Sequence, residues 1–295
     1  MSQTITPAAA GTWTLGDLEV NRIGFGAMRL PQLGEALVPD AVPRDRAQAI
    51  TVLRRAIDLG VNHLDTAAFY FSPLLSANEL INSALAPYLA DLVITTKVGP
   101  GRDPSGEWLP HATPALLRGQ VEENLRQLGR DCLDVVNLRI VGTDSVADRF
   151  GALADLRDSG LIRHLGLSNV HPHQLAEAQT IAPVVCVQNM FGVGASRAML
   201  DICADQGVAF VPFYAIAGTG RTAGAGHDQA DEVGAIARAH DASPAQIRIA
   251  WTLRQGPHVL AIPGTGDPDH LAANVAAGAL HLTDEEMATL NAIVA

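Results

Sequence analysis

The chain has 295 residues, 48% of them hydrophobic and 17% charged, with a formal net charge of -11 at pH 7. That composition suits a compact globule with a sizeable core, and the acidic balance argues against nucleic acid or an anionic membrane as a partner, since both need a basic face. No apolar run reaches the roughly 20 residues of a membrane span, and the opening residues MSQTITPAAAGTW lack the cationic and then apolar segments of a signal peptide. Aromatic residues make up 4%, so the core is expected to be mainly Ala, Leu, Val and Ile. Cys132, Cys186 and Cys203 are odd in number and share no metal-ligand spacing. They are expected as free thiols in a reducing cytoplasm.

In chain order, Thr12–Leu15 and Leu18–Asn21 flank Gly16-Asp17 and predict a small hairpin. Strands are predicted at Arg22–Gly26, Asn62–Thr66, Leu92–Val98 and Leu133–Ile140, then at Arg163–Ser168, Val184–Gln188, Ala209–Tyr214 and Val259–Ile262. Helical patterns lie between them. Ala47, Ile50, Leu53 and Ile57 share a face that ends near Gly60. Thr113-Pro114 and Ser243-Pro244 read as an N-cap followed by proline at the first helical position. Thr283-Asp284-Glu285-Glu286 has the spacing of a capping box. The segment 218–231, GTGRTAGAGHDQAD, reads as a loose loop between strand and helix.

Eight strands alternating with helices imply parallel βαβ units, and eight such units in one chain fit a (β/α)₈ TIM barrel with a short N-terminal β-hairpin, spanning 1–295 as one domain. The runner-up is an open doubly wound sheet, which would expect a Gly-x-Gly-x-x-Gly turn; Arg29 breaks that pattern in RIGFGAMRL. Strand side chains alternate between two faces. If Leu64, Leu92, Ile94, Val136, Leu138, Leu165, Leu167, Val185, Val187, Val211 and Phe213 face the helices, the inward residues nearest the strand ends are Asp65, Lys97, Arg139, Ser168, Gln188 and Tyr214. Polar strand ends often do no more than meet solvent. A lysine, an aspartate and an arginine on one rim, however, need each other's charges if partly buried, and that rim is where such barrels keep their active sites.

NHLDTAAFY (62–70), VITTKVG (93–99), GLSN (166–169), VQN (187–189) and IPGT (262–265) occur in this order, and with them the chain resembles the aldo-keto reductase family over nearly its whole length. The resemblance implies an NADP-dependent oxidoreductase that reduces small-molecule carbonyls on a (β/α)₈ barrel, with NADPH lying extended across the rim. By matching motifs, Tyr70 would be the general acid, Lys97 would tune its pKa and Asp65 would hold Lys97. Ser168, Asn169 and Gln188 would bind the nicotinamide carboxamide, and Tyr214 would stack on its ring. Gly264, Thr265, His270 and Asn274 would lie along the adenosine 2′-phosphate, helped by backbone N–H groups of a helix starting near Pro268. No metal is implied; His171-Pro172-His173 lacks further ligands at zinc spacing.

This chain departs from the family pattern at several positions. Gly264 stands where many members have lysine, His270 where many have arginine and Ala273 where glutamate is frequent, while Asp267 adds a negative charge. Arg139 takes the place of the usual catalytic histidine, as in a bacterial subgroup similar to pyridoxal reductases. Arginine donates hydrogen bonds without titrating usefully, and a fixed cation favours carbonyl substrates that carry an anionic or phenolate group, such as pyridoxal. Two alternatives stand beside the carbonyl reductase: an NADPH-binding regulatory protein with little turnover, and a reductase of conjugated C=C bonds. The stop soon after the last helix predicts an open pocket mouth. The sequence leaves the oligomeric state open.

Overall fold

Several helices in this chain start where a short polar side chain meets proline or a periodic apolar run. The computed structural model describes residues 6–213 and 230–293, so Tyr214 and nearly all of the 218–231 loop lie outside the described residues. Asp45 accepts from the Gln48 amide at the head of α1 (Arg46–Asp58), and Ser76 accepts from Glu79 at the head of α2 (Ala77–Leu85). Pro114 opens α3 (Pro114–Leu128), although the Thr113 side chain makes no capping hydrogen bond there, and Gly129 closes that helix at φ 63°. After α4 (Ala147–Asp158), α5 (Pro172–Gln179), α6 (Ala198–Gln206) and α7 (Ala230–Ala239), reciprocal capping boxes open two helices. Ser243 pairs with Gln246 at α8 (Pro244–Leu253), and Thr283 pairs with Glu286 at α10 (Asp284–Asn291). Between these two lies α9 (Pro268–Ala276).

The predicted hairpin forms as β1 (Thr12–Leu15) and β2 (Leu18–Asn21). The barrel staves are β3 (Phe25–Gly26), β4 (His63–Asp65), β7 (Val93–Val98), β8 (Leu133–Arg139), β9 (Ile162–Ser168), β10 (Val184–Gln188) and β11 (Ala209–Phe210), all parallel and adjacent in that order. A small antiparallel pair, β5 (Phe71–Ser72) and β6 (Leu75–Ser76), follows β4 without having been predicted. The expected eighth strand at Val259–Ile262 appears as single bridges, Phe210 to Val259 on one side and Ile23 to Ala261 on the other. Hydrogen bonds from Leu260 N to Phe210 O (2.9 Å) and from Gly24 N to Ala261 O (2.8 Å) close the cylinder through it.

Leu64, Ile94, Val136, Leu138, Leu165, Leu167 and Val187 face outward into the large apolar layer beneath the helices, as predicted. The hairpin stops the opposite end of the barrel from the rim. Its Leu15 and Val20 are fully buried against Val93, Val135, Cys186, Ala209 and Leu260, and each such side chain contributes about 1.5–3 kcal/mol by burial. The predicted phase fails at β11. Phe210 needs the roomy outer layer, where it meets the Phe191 ring edge-on at 5.6 Å, so Ala209 and Val211 turn inward and Phe213 lines the cleft. Among the described residues no helix is long and apolar enough to cross a membrane. All three cysteines are free thiols.

Candidate active site

Register sets the rim. Asp65 ends β4, Arg139 ends β8, Ser168 ends β9 and Gln188 ends β10, and the pairing places Arg139 opposite Ser168 and Ser168 opposite Gln188. One step deeper, Lys97 lies opposite Asn137. Each strand therefore delivers an inward polar side chain at nearly one level, above the apolar plug.

Lys97 is 2% exposed, and a buried ammonium persists only with partners. It donates to Asp65 Oδ1 at 2.6 Å and to the Thr66 carbonyl at 3.0 Å. The other Asp65 oxygen accepts from the Gln188 amide at 2.7 Å. Burial alone would lower the Lys97 pKa, but Asp65, Tyr70 and their hydrogen bonds carry it above its ordinary value. The Lys97 nitrogen lies 4.9 Å from the centre of the Tyr70 ring. Burial pushes the Tyr70 phenol up, while Lys97 and Arg139 pull it down; the net direction is upward. The resting tyrosine is thus the protonated form, which is what a proton donor requires.

Arg139 is half-buried, donates to Ser168 Oγ at 3.1 Å and sits 5.0 Å from the centre of the Phe213 ring. Tyr70, Asp65, Arg139, Gln188 and Phe213 all line one cleft of about 1230 Å³. Phe69 and Trp108 add aromatic walls, 5.8 Å apart between ring centres. Ser168 and Asn169 are not part of the lining. Ser168 is fully buried beneath Arg139. Asn169, at φ 59°, turns its amide to the Ile140 carbonyl at 2.8 Å.

Gly264, Thr265, His270 and Asn274 also line the cleft, on the arm contributed by residues 261–274. A Cβ on Gly264 would come within 2.4 Å of the Gly26 carbonyl oxygen, so this backbone excludes the lysine many relatives carry there. The expected free amides at the head of α9 are already engaged. Asp267 Oδ1 accepts from Asp269 N at 2.8 Å and from His270 N at 3.1 Å, and those two amides hold its carboxyl below the ordinary range. The chain thus supplies its own anion where the sequence had reserved donors for a phosphate.

Positive charge comes instead from Arg29, Arg44, Arg139 and Arg248, which all line the cleft of a chain whose net charge is -11. Sequence reasoning missed Arg248; its one signal was a charge flanked by Ile247 and Ile249 on a helix with apolar residues on several sides. Four guanidinium groups and a long groove with aromatic walls suit an extended dinucleotide, whose phosphates are anionic.

A sequence model of the Aldo/keto reductase family matches residues 22–295. Pyridoxine 4-dehydrogenase of Escherichia coli is 44% identical over 294 residues, covering 97% of this chain and 99% of its own length. An uncharacterized oxidoreductase of Schizosaccharomyces pombe is 37% identical over 98% of this chain and 92% of its own. Among solved structures, an aldo-keto reductase from Klebsiella pneumoniae in complex with NADPH superposes with a TM-score of 0.74, at 27% identity, covering 92% of this chain and 90% of that one.

Proposed function

Because the chain belongs to the aldo/keto reductase family, we propose that this oxidoreductase uses NADPH to reduce aldehydes and ketones, with pyridoxal-like aromatic aldehydes as its preferred class. The observation that carries the reading is the buried Asp65–Lys97 ion pair under a protonated Tyr70, all beside the cleft. Bound NADPH would supply hydride to the carbonyl carbon. Tyr70 then gives its proton to the carbonyl oxygen, Lys97 stabilises the phenolate left behind, and Asp65 keeps Lys97 charged. The binding-only alternative gives this constellation no chemical task.

Arg139 has no ion pair among the described residues, which supports a role in holding an anionic group or the carbonyl oxygen itself. Pyridoxal offers an aldehyde beside a phenolate, and the relative named for pyridoxine favours that choice. Ser168, Asn169 and Gln188 are assigned to the carboxamide; with its amide nitrogen on the Ile140 carbonyl, Asn169 keeps Oδ1 to accept from it. Tyr214, outside the described residues, keeps its assigned place on the nicotinamide ring from resemblance alone. The three free thiols support a reducing compartment, the cytoplasm.

The test is NADPH oxidation with pyridoxal and with benzaldehyde, on wild type and Tyr70→Phe. Pyridoxal is expected to be favoured at least tenfold in kcat/KM, and Tyr70→Phe to lose about 10²–10⁴-fold in kcat. Equal use of both aldehydes rejects the substrate class. An active Tyr70→Phe variant rejects the assigned acid.

A further inference from the structure

We propose that Arg248, on α8, is the cation that holds the adenosine 2′-phosphate and so sets the preference for NADPH over NADH. The inference rests on the cofactor reading above and adds to it a residue, on a different element from the α9 positions to which the resemblance assigns this task.

Arg248 is 4% exposed and lines the cleft. Its guanidinium makes no hydrogen bond or ion pair among the described residues. Two other guanidinium groups behave differently: half-buried Arg22 donates to the carbonyls of Ala10, Leu253, Gly256 and Val259, and buried Arg102 donates to those of Val38, Phe69, Phe71 and Gly106. A desolvated cation with no partner among the described residues is costly by itself, so an anion entering the cleft gains strongly at this point.

The choice of anion follows from the neighbours. Arg248 lines the cleft together with Ser243, Gly264, Thr265, His270 and Asn274, and its helix is tied to α9 by the Gln246 side-chain amide, which donates to the Ala273 carbonyl at 3.0 Å. Three other sources of positive charge expected on this arm are weakened. Gly264 excludes lysine by its contact with Gly26, Asp267 uses the α9 amides, and Arg44 spends two donors on the carbonyls of Gly266 and Gln32. Arg248 is a buried guanidinium with no partner among the described residues on this side of the cleft, and arginine matches phosphate with two parallel hydrogen bonds.

The experiment is isothermal titration of wild type, Arg248→Gln and Arg248→Lys with 2′,5′-ADP and with 5′-AMP, which differ only in the 2′-phosphate. Wild type is expected to bind 2′,5′-ADP at least tenfold more tightly than 5′-AMP. Arg248→Gln should erase that difference with 5′-AMP affinity unchanged, and Arg248→Lys should restore part of it. If Arg248→Gln keeps the discrimination, or loses both ligands equally, the assignment is overturned; equal loss would put the residue on the 5′-phosphate or in the scaffold. Thermal unfolding of the apo variant supplies a check on folding, because removing a buried charge with no partner among the described residues should leave Tm unchanged or raise it, whereas a scaffold role predicts a fall. A crystal structure of wild type with NADP⁺ provides a route that needs no variant: a guanidinium beyond hydrogen-bonding distance of the 2′-phosphate overturns the proposal. Failure of both NADP⁺ and NAD⁺ to bind would instead reject the cofactor reading itself.

Discussion

Lys97 and Asp65 form a 2.6 Å ion pair whose side chains are only 2% and 5% exposed. Removing one partner of such a pair leaves the other charge desolvated, which typically costs about 3–5 kcal/mol. Asp65→Asn is therefore expected to lower stability by about that amount and to release Lys97 to the effect of burial, which favours its neutral form. The kcat should fall by about 10² or more. Urea unfolding and steady-state kinetics check both, and a stable variant with wild-type kcat contradicts the assigned coupling.

The Tyr70 phenol is pushed upward by burial more than Lys97 and Arg139 pull it down. The resting phenol therefore stays protonated across neutrality, and an arginine at position 139 brings no histidine-like titration. The wild-type kcat for reduction is expected to be flat from about pH 6 to about pH 9, falling only as the phenol ionises. Arg139→His should introduce a step near about pH 6.5, with activity on anionic aldehydes lost as pH rises and the imidazole turns neutral. A wild-type profile that already contains this step, or a flat one in the variant, removes the fixed-cation role.

Much of this site was legible because its signals are local. Gly16-Asp17 between two alternating runs fixed the hairpin, and the apolar outer faces of β7, β8 and β9 fixed which side chains reach the rim. Other features depended on contacts far apart in sequence. The inward turn of Val211 depends on Phe210 meeting Phe191, and Gly264 is explained only by Gly26, more than 200 positions away. Asp267 was visible as a charge, but whether it repels a ligand or caps α9 depends on backbone directions that no residue pattern reveals. Arg248 carried only the weak signal of a charge between Ile247 and Ile249, and which cleft it lines depends on how α8 packs.

Asp267 sits at the head of α9 with its carboxylate on two amides. That carboxylate stabilises the helix and at the same time repels a 2′-phosphate entering the same arm of the cleft. Asp267→Asn retains a capping oxygen, and asparagine caps about as well as aspartate, so stability should change by less than about 1 kcal/mol. The KM for NADPH is expected to fall several-fold while that for NADH stays constant. An equal change in both would mean that Asp267 does not face the 2′-phosphate.

His63 is buried below Lys97, with Nε2 3.2 Å from Thr95 Oγ1 and Nδ1 without a hydrogen-bond partner among the described residues. Burial, aided by Lys97 and opposed by Asp65, lowers its pKa to about 4. Because the folded value lies below the unfolded one, near about 6.5, neutral His63 contributes its full stability above about pH 6.5. That contribution is lost as pH falls towards about 4, since the unfolded chain takes up the proton first. Between about pH 7.5 and about pH 5 the wild type should lose about 2 kcal/mol through this group. His63→Asn removes the titration, so urea unfolding at the two pH values should give a smaller drop for the variant by about that amount. Identical drops in both proteins would assign the acid sensitivity to other groups.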